Sequence, residues 1–172
     1  YLIGMLFPEF SGSETWRTTG RSILTTEMSR QVLADGFHAE LSTCYHAYSL
    51  EFALSALLLG ERNFDRFEEN DYARLKAMAD VLVHLQLPSG LWPHIGDDDG
   101  GRLMFLSRPS PFDYRPLLQA ALNLQGKRIV DSPPTPETFW LNGRRDDAGL
   151  QEVKREYAAV VLKPSGVIVT RG

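Results

Sequence analysis

The 172-residue chain holds a single cysteine, Cys44, no long apolar run and no excess of positive charge. One cysteine excludes an internal disulfide and any paired-cysteine metal site. It leaves the compartment open, because a chain without disulfides fits reducing and oxidising settings alike. No apolar stretch approaches the roughly 18 residues that suggest a membrane span. A formal net charge of -4 provides no general pull toward nucleic acid or an anionic membrane. An acidic ligand would therefore need a local cationic spot. Dinucleotide and phosphate-binding glycine motifs are missing, as is a serine nucleophile elbow. Position 1 is not Met, and the segment from Tyr1 to Phe7 lacks the basic flank and small-residue cleavage site of a signal peptide. It reads as the tail of a helix, so the chain is expected to be a piece of a longer protein.

What is present is ordinary globular material, 43% hydrophobic and 23% charged, with the length of one domain. Pro8 and Gly12 break the first helix. Ser11 and Glu14 have capping-box spacing and open the next helix. Its stripe of Trp16, Gly20, Ile23, Leu24, Met28 and Val32 runs up to the stop signal Asp35-Gly36. A helix from Ser42 or Thr43 to Leu59, ended by Gly60, is apolar almost all round in its second half and should be the most deeply buried element. A third spans about Asp71 to Gln86, a fourth follows Asp113 and a fifth lies in Pro136 to Asn142.

Two loops interrupt this helical series. Pro88 to Arg102 is too long and too rich in breakers for a mere connection. Gly143 to Glu152 is charged and helix-poor and reads as a boundary, with Arg144-Arg145 a solvated charge pair. Beyond it, Tyr157 to Leu162 and Val167 to Thr170 flank Lys163-Pro-Ser-Gly166, the pattern of two strands and a turn. The expected organisation is residues 1–150 as a partial helical domain and 151–172 as the first strands of a β domain.

Chemistry-bearing side chains fall in two clusters. The first is Asp35-Gly-Phe-His-Ala-Glu-Leu-Ser-Thr-Cys-Tyr-His46. Ser42, Tyr45 and His46 lie three and four apart and so share a helix face. Either Ser42 caps the helix over a core tyrosine and a satisfied histidine, or Tyr45 exchanges a proton with a ligand at a cavity entrance. The second role asks its neighbours to lower the phenol from its usual pKa of about 10. The second cluster is Trp92-Pro-His-Ile-Gly-Asp-Asp-Asp-Gly-Gly-Arg102. It lacks the alternating ligands of a calcium loop. It is either a turn whose aspartates hold their own backbone or a sugar-binding loop. In the latter, Trp92 stacks on a pyranose, the aspartates accept hydroxyls and Arg102 faces a uronate carboxylate.

Trp16-Arg17, Gly20, Ile23-Leu24, Glu27, Gln31 and Asp35-Gly36 lead into Glu40-x-Ser42-x-x-Tyr45-His46. With Pro93-x-x-Gly96-Asp97-x-Asp99-x-Gly101-Arg102 downstream, that order resembles the heparinase II/III-like polysaccharide lyases, which include alginate lyases. The resemblance covers nearly the whole chain. It implies a mainly α fold: an incomplete α/α toroid with a short antiparallel β start at the C-terminus. It implies β-elimination at a uronic acid, no cofactor and no metal, with Tyr45 as general acid or base. Glu40, His46, Trp92, Asp97, Asp99 and Arg102 are the implied substrate-binding residues, and an acidic polysaccharide or oligosaccharide the implied partner. The family's Asn-His pair and a further histidine of its β domain fall outside these residues, so the chain alone is expected to be inactive. A noncatalytic carbohydrate-binding helical module and an α/α-toroid glycoside hydrolase are the alternatives. The expected setting is periplasmic or secreted, with cytoplasmic as the alternative.

Overall fold

The computed structural model describes residues 1–104, 106, 112–129, 135–143, 149–154 and 159–170. Helix α1 (Leu2–Leu6) ends at Phe7, before Pro8, and packs across α2 (Ser13–Gln31). The capping box expected from Ser11 and Glu14 does not form. Gly12 occupies the cap position without a side-chain bond, the Ser13 hydroxyl donates to Pro8 O at 3.1 Å, and Glu14 pairs with Arg17 instead. At Val32 the backbone turns extended and bridges to His38. Between them Gly36 has φ of 90°, and a Cβ there would stand 2.3 Å from the Ala77 carbonyl. Its missing side chain lets the loop lie against the next hairpin of helices.

Helix α3 (Thr43–Arg62) begins where expected, with Ser42 as its cap. It does not stop at Gly60. It runs on to Arg62, and Gly60 serves packing inside it: a Cβ would meet Asp65 O at 2.6 Å and the Tyr1 hydroxyl at 2.7 Å. Leu50, Leu54 and Leu57 are wholly buried where α3 meets α1, α4, α5 and α6. Phe52, in the same half of the helix, is 38% exposed in this chain. One arc of α3 therefore stays open, and it is the arc that carries Tyr45.

Helix α4 (Glu69–Leu85) starts two residues early, set by a capping box between Glu68 and Asp71. It lays Leu75, Met78 and Leu82 into the core, while Tyr72 is half-buried beneath the Arg66 guanidinium. The connection 63–68 returns the chain, so His46 near the start of α3 meets Met78 in the second half of α4. Helix α5 (Arg115–Leu124) buries Leu118 and Leu122, and α6 (Pro136–Asn142) packs on it.

A parallel pair escaped the sequence reading. Strand β1 (Lys127–Arg128) pairs with β2 (Gln151–Glu152), so one strand lies on each side of the expected boundary at residue 150. Strands β3 (Ala159–Leu162) and β4 (Val167–Thr170) form the expected antiparallel hairpin. Tyr157 and Arg144-Arg145 lie outside the described residues. The hairpin turn is tied to the helical part by Ser165 N donating to Asp35 at 2.8 Å. Mainly helical, with a short antiparallel strand pair at its C-terminal end, the chain has the expected fold class.

Candidate functional site

Ser42 joins the two chemical clusters. Its Oγ accepts from Tyr45 N at 3.2 Å, capping α3, and donates to Asp97 O at 2.6 Å. Thr43 N donates to Ile95 O at 2.9 Å, and Gly96, at φ of 70°, brings its backbone against Ser42 with no room for a side chain. The loop is held again further on, where the buried Glu51 carboxylate accepts from Leu103 N at 2.6 Å and Met104 N at 3.1 Å. Between the two clamps, Asp97 to Arg102 runs as a strap beside the first turns of α3. Tyr45 and the loop are thus brought together despite their separation in sequence.

Within the strap, Asp98 Oδ1 accepts from Gly100 N at 2.8 Å and Asp99 Oδ1 from Gly101 N at 3.0 Å. These two aspartates hold their own backbone, as short acidic side chains in turns do. Asp97, Asp99 and Glu40 are nonetheless exposed around the half-exposed Tyr45. Asp99 first, then slight desolvation, Asp97 and Glu40 push the Tyr45 phenol above its ordinary value. The sequence reading asked for the opposite shift. A phenol ringed by carboxylates keeps its proton, which suits an acid rather than a base.

Two predicted sugar contacts are corrected by burial. His46 is wholly buried; its Nδ1 accepts from His38 N at 3.2 Å and its Nε2 faces Met78 O at 3.0 Å. That pairing fixes the neutral tautomer with the proton on Nε2, and burial holds the ring down at about 4. His46 thus orients the Phe37-His38 turn and cannot touch a sugar. Trp92 is 2% exposed, and its Nε1 donates to Leu82 O at 2.7 Å. No pyranose can stack on it. Trp92 packs edge-on against Tyr114 at 5.7 Å, and the Arg102 guanidinium lies over the Tyr114 ring at 4.7 Å. Arg102 is half-buried and held by that stack.

Tyr114 and Glu51 are the residues that sequence reasoning missed. Tyr114 supports the cation, and Glu51 anchors the strap. A charged residue in the middle of an apolar helix was the available signal for Glu51. Cys44, Asp98 and Asp99 place ligand atoms within 4.8 Å of one another. Burial first, then its bond to Asp98, pushes the Cys44 thiol up.

Residues 1–106 match the family model for the Heparinase II/III N-terminus. The chain belongs to that family. It is similar to a heparin-sulfate lyase of Pedobacter heparinus, 38% identical over 96 residues that make up 55% of this chain and 15% of that protein. Against a heparin-sulfate lyase of Bacteroides thetaiotaomicron it is 32% identical over 88 residues, 50% of this chain and 12% of that one. The fold of this heparinase II/III chain is like the crystal structure of a heparan sulfate lyase mutant from Pedobacter heparinus. There the TM-score is 0.61 at 26% identity, over 93% of this chain and 22% of the other. The chain therefore spans less than a quarter of the length of these relatives.

Among the described residues, no helix is long and apolar enough to cross a membrane.

Proposed function

We propose that the full-length protein is a polysaccharide lyase that cleaves a uronic-acid-containing polysaccharide by β-elimination, and that Tyr45 is its general acid. In that reaction a base removes the proton at C5, the electron pair forms the C4–C5 double bond, and the C4–O4 bond breaks. The leaving oxygen must then take a proton. The observation that carries the reading is Tyr45 itself: half-exposed at the capped start of α3, beside the strap, with Asp99, Asp97 and Glu40 holding its phenol protonated. The alkoxide left when the C4–O4 bond breaks is far more basic than a phenolate, so a protonated Tyr45 hydroxyl beside it can supply the proton. Asp97 and Asp99 would accept sugar hydroxyls, with Arg102 as the nearby cation; their exposure on the strap beside Tyr45 supports that reading. Base and carboxylate neutralisation come from other parts of the protein, so the 172-residue chain alone yields no product. A periplasmic or secreted setting suits the degradation of such a polymer, and fractionation of cells making the full-length protein tests it.

The test is Tyr45→Phe in the full-length protein, followed by the ultraviolet absorbance of the unsaturated uronate product over a panel of uronate polymers. Turnover falls by about 10²–10⁴-fold while the fold is kept, because a positioned acid contributes on that order. Wild-type activity should persist through neutral pH and fall only as pH rises through the raised phenol pKa, since the acid must be protonated. An undiminished Tyr45→Phe variant would sink the assignment. Cleavage without an unsaturated product would point instead to hydrolysis by a carboxylate pair.

A further inference from the structure

The open arc of α3 carries more than Tyr45. Tyr45, Tyr48, Ser49 and Phe52 recur at three- and four-residue spacing, so they share one face, and none of them is buried. The strap forms one flank of that face, since a Cβ on Gly101 would lie 3.6 Å from the Tyr48 ring. Helix α2 forms the other. There Leu24, Met28, Gln31 and His38 meet Ser49 and Phe52 around a cleft of about 170 Å³.

We propose that this cleft is a second sugar subsite. It seats the pyranose next along the chain from the one whose O4 is protonated at Tyr45, stacked on Phe52 and hydrogen-bonded by Gln31 and Ser49. The inference rests on the proposed function for the identity of the chain.

Three observations lead to a sugar rather than to another occupant. The first is spacing: Ser49 lies one turn beyond Tyr45 on the same face, about 6 Å along the axis, a distance on the scale of one sugar ring. The second is chemistry. A pyranose has an apolar C–H face and a rim of hydroxyls, and the cleft offers an apolar wall with a few convergent polar groups. The third is preorganisation. Phe52 is held edge-on by Tyr48 with ring centroids 4.8 Å apart. The Gln31 amide is fixed between His38 Nε2, at 3.1 Å, and the Glu27 carboxylate, at 2.8 Å. Glu27 in turn pairs with Arg30 at 2.9 Å. Gln31 is therefore aimed before a ligand arrives, and it keeps one amide hydrogen and one lone pair for a hydroxyl.

The experiment uses the full-length protein and uronate oligosaccharides of one repeating chemistry, lengthened one sugar at a time at either end. Wild-type kcat/KM should rise at the step that fills the cleft. Phe52→Leu keeps apolar bulk and removes the flat ring. It should cut the ratio of kcat/KM across that step by about three- to tenfold, the scale of one aromatic contact. Gln31→Ala should cut the same ratio, and it stands in if Phe52→Leu does not fold. A wild-type enzyme without a length step, or variants that lose activity equally on every length, would overturn the subsite. If the wild type eliminates nothing, the functional reading fails. Calorimetric titration of the same oligosaccharides into wild type and Phe52→Leu then decides the subsite, which falls if the two affinities agree.

Discussion

His46 shows how one residue type supports two opposite readings. Its sequence position beside Tyr45 suggested a ligand contact, yet both ring nitrogens are spent inside the fold and none of its surface is exposed. The burial has a consequence in solution. An unfolded histidine titrates near 6.5, whereas folded His46 is held down to about 4 by desolvation. The unfolded chain therefore takes up a proton first as pH falls. Its contribution is fully present above about pH 6.5 and is lost between there and about pH 4, on the order of 3 kcal/mol. His38 is lowered in the same direction, by burial against the opposing pull of Glu40, so it steepens the loss. His46→Gln, which retains an acceptor and a donor, should flatten urea midpoints measured from pH 7 to pH 4, leaving the His38 share. Equal slopes in both proteins would mean that His46 takes up its proton as readily in the native state as in the unfolded chain. Trp92 repeats the lesson: composition identified a special side chain but not whether its face met solvent or Tyr114.

At the scale of elements, the sequence was legible wherever periodicity was long. Apolar residues at helical spacing located α2 and α4, an apolar run almost all round located α3, and the Lys163–Gly166 turn signal located the β3–β4 hairpin. The start of α2 was misread because Ser11 has the right spacing but the turn through Gly12 takes the cap position instead. Gly60 was misread as a stop because a sequence does not reveal that Asp65 and the Tyr1 hydroxyl press on it. Strands β1 and β2 are two residues each, too short for any alternation to be seen. The strap was legible as an unusual loop, but its two clamps were not, since Ser42 and Glu51 reach it across 55 and 52 residues. Burial of α3 gives a direct check. Leu57 is 0% exposed among α3's partners, so Leu57→Ala should cost about 2–5 kcal/mol in chemical denaturation. A cost below about 1 kcal/mol would show that α3 is not the packing centre of the chain.

For the molecule as a whole, the question is what joins the hairpin to the helical part. Val160 pairs with Val169 and Leu162 with Val167 on the inner face, while Val161 and Ile168 point outward and are more than half exposed. A hairpin with one face covered is marginal by itself, so docking decides its order. Two forces compete for that role. Burial of Leu162, at 6% exposure, contributes about 1.5–3 kcal/mol. The Asp35 carboxylate, which accepts from Phe37 N at 3.1 Å and from Ser165 N, contributes about 1–3 kcal/mol through bonds to a charged group. Since neither dominates, Asp35→Ala should loosen the hairpin without releasing it. Amide exchange at Ser165 and along β3 and β4 should quicken by about 5- to 30-fold, the factor that one to two kcal/mol represents. Exchange within α4 should stay the same, because its core leucines do not depend on Asp35. The same loop runs from Asp35 through Phe37 and His38 to His46, so loosening it also frees the turn that precedes Tyr45. Exchange at Phe37 and His38 should therefore rise together with Ser165. If the hairpin amides quicken and Phe37 does not, Asp35 merely ties down a turn; if none changes, apolar packing alone seats the hairpin.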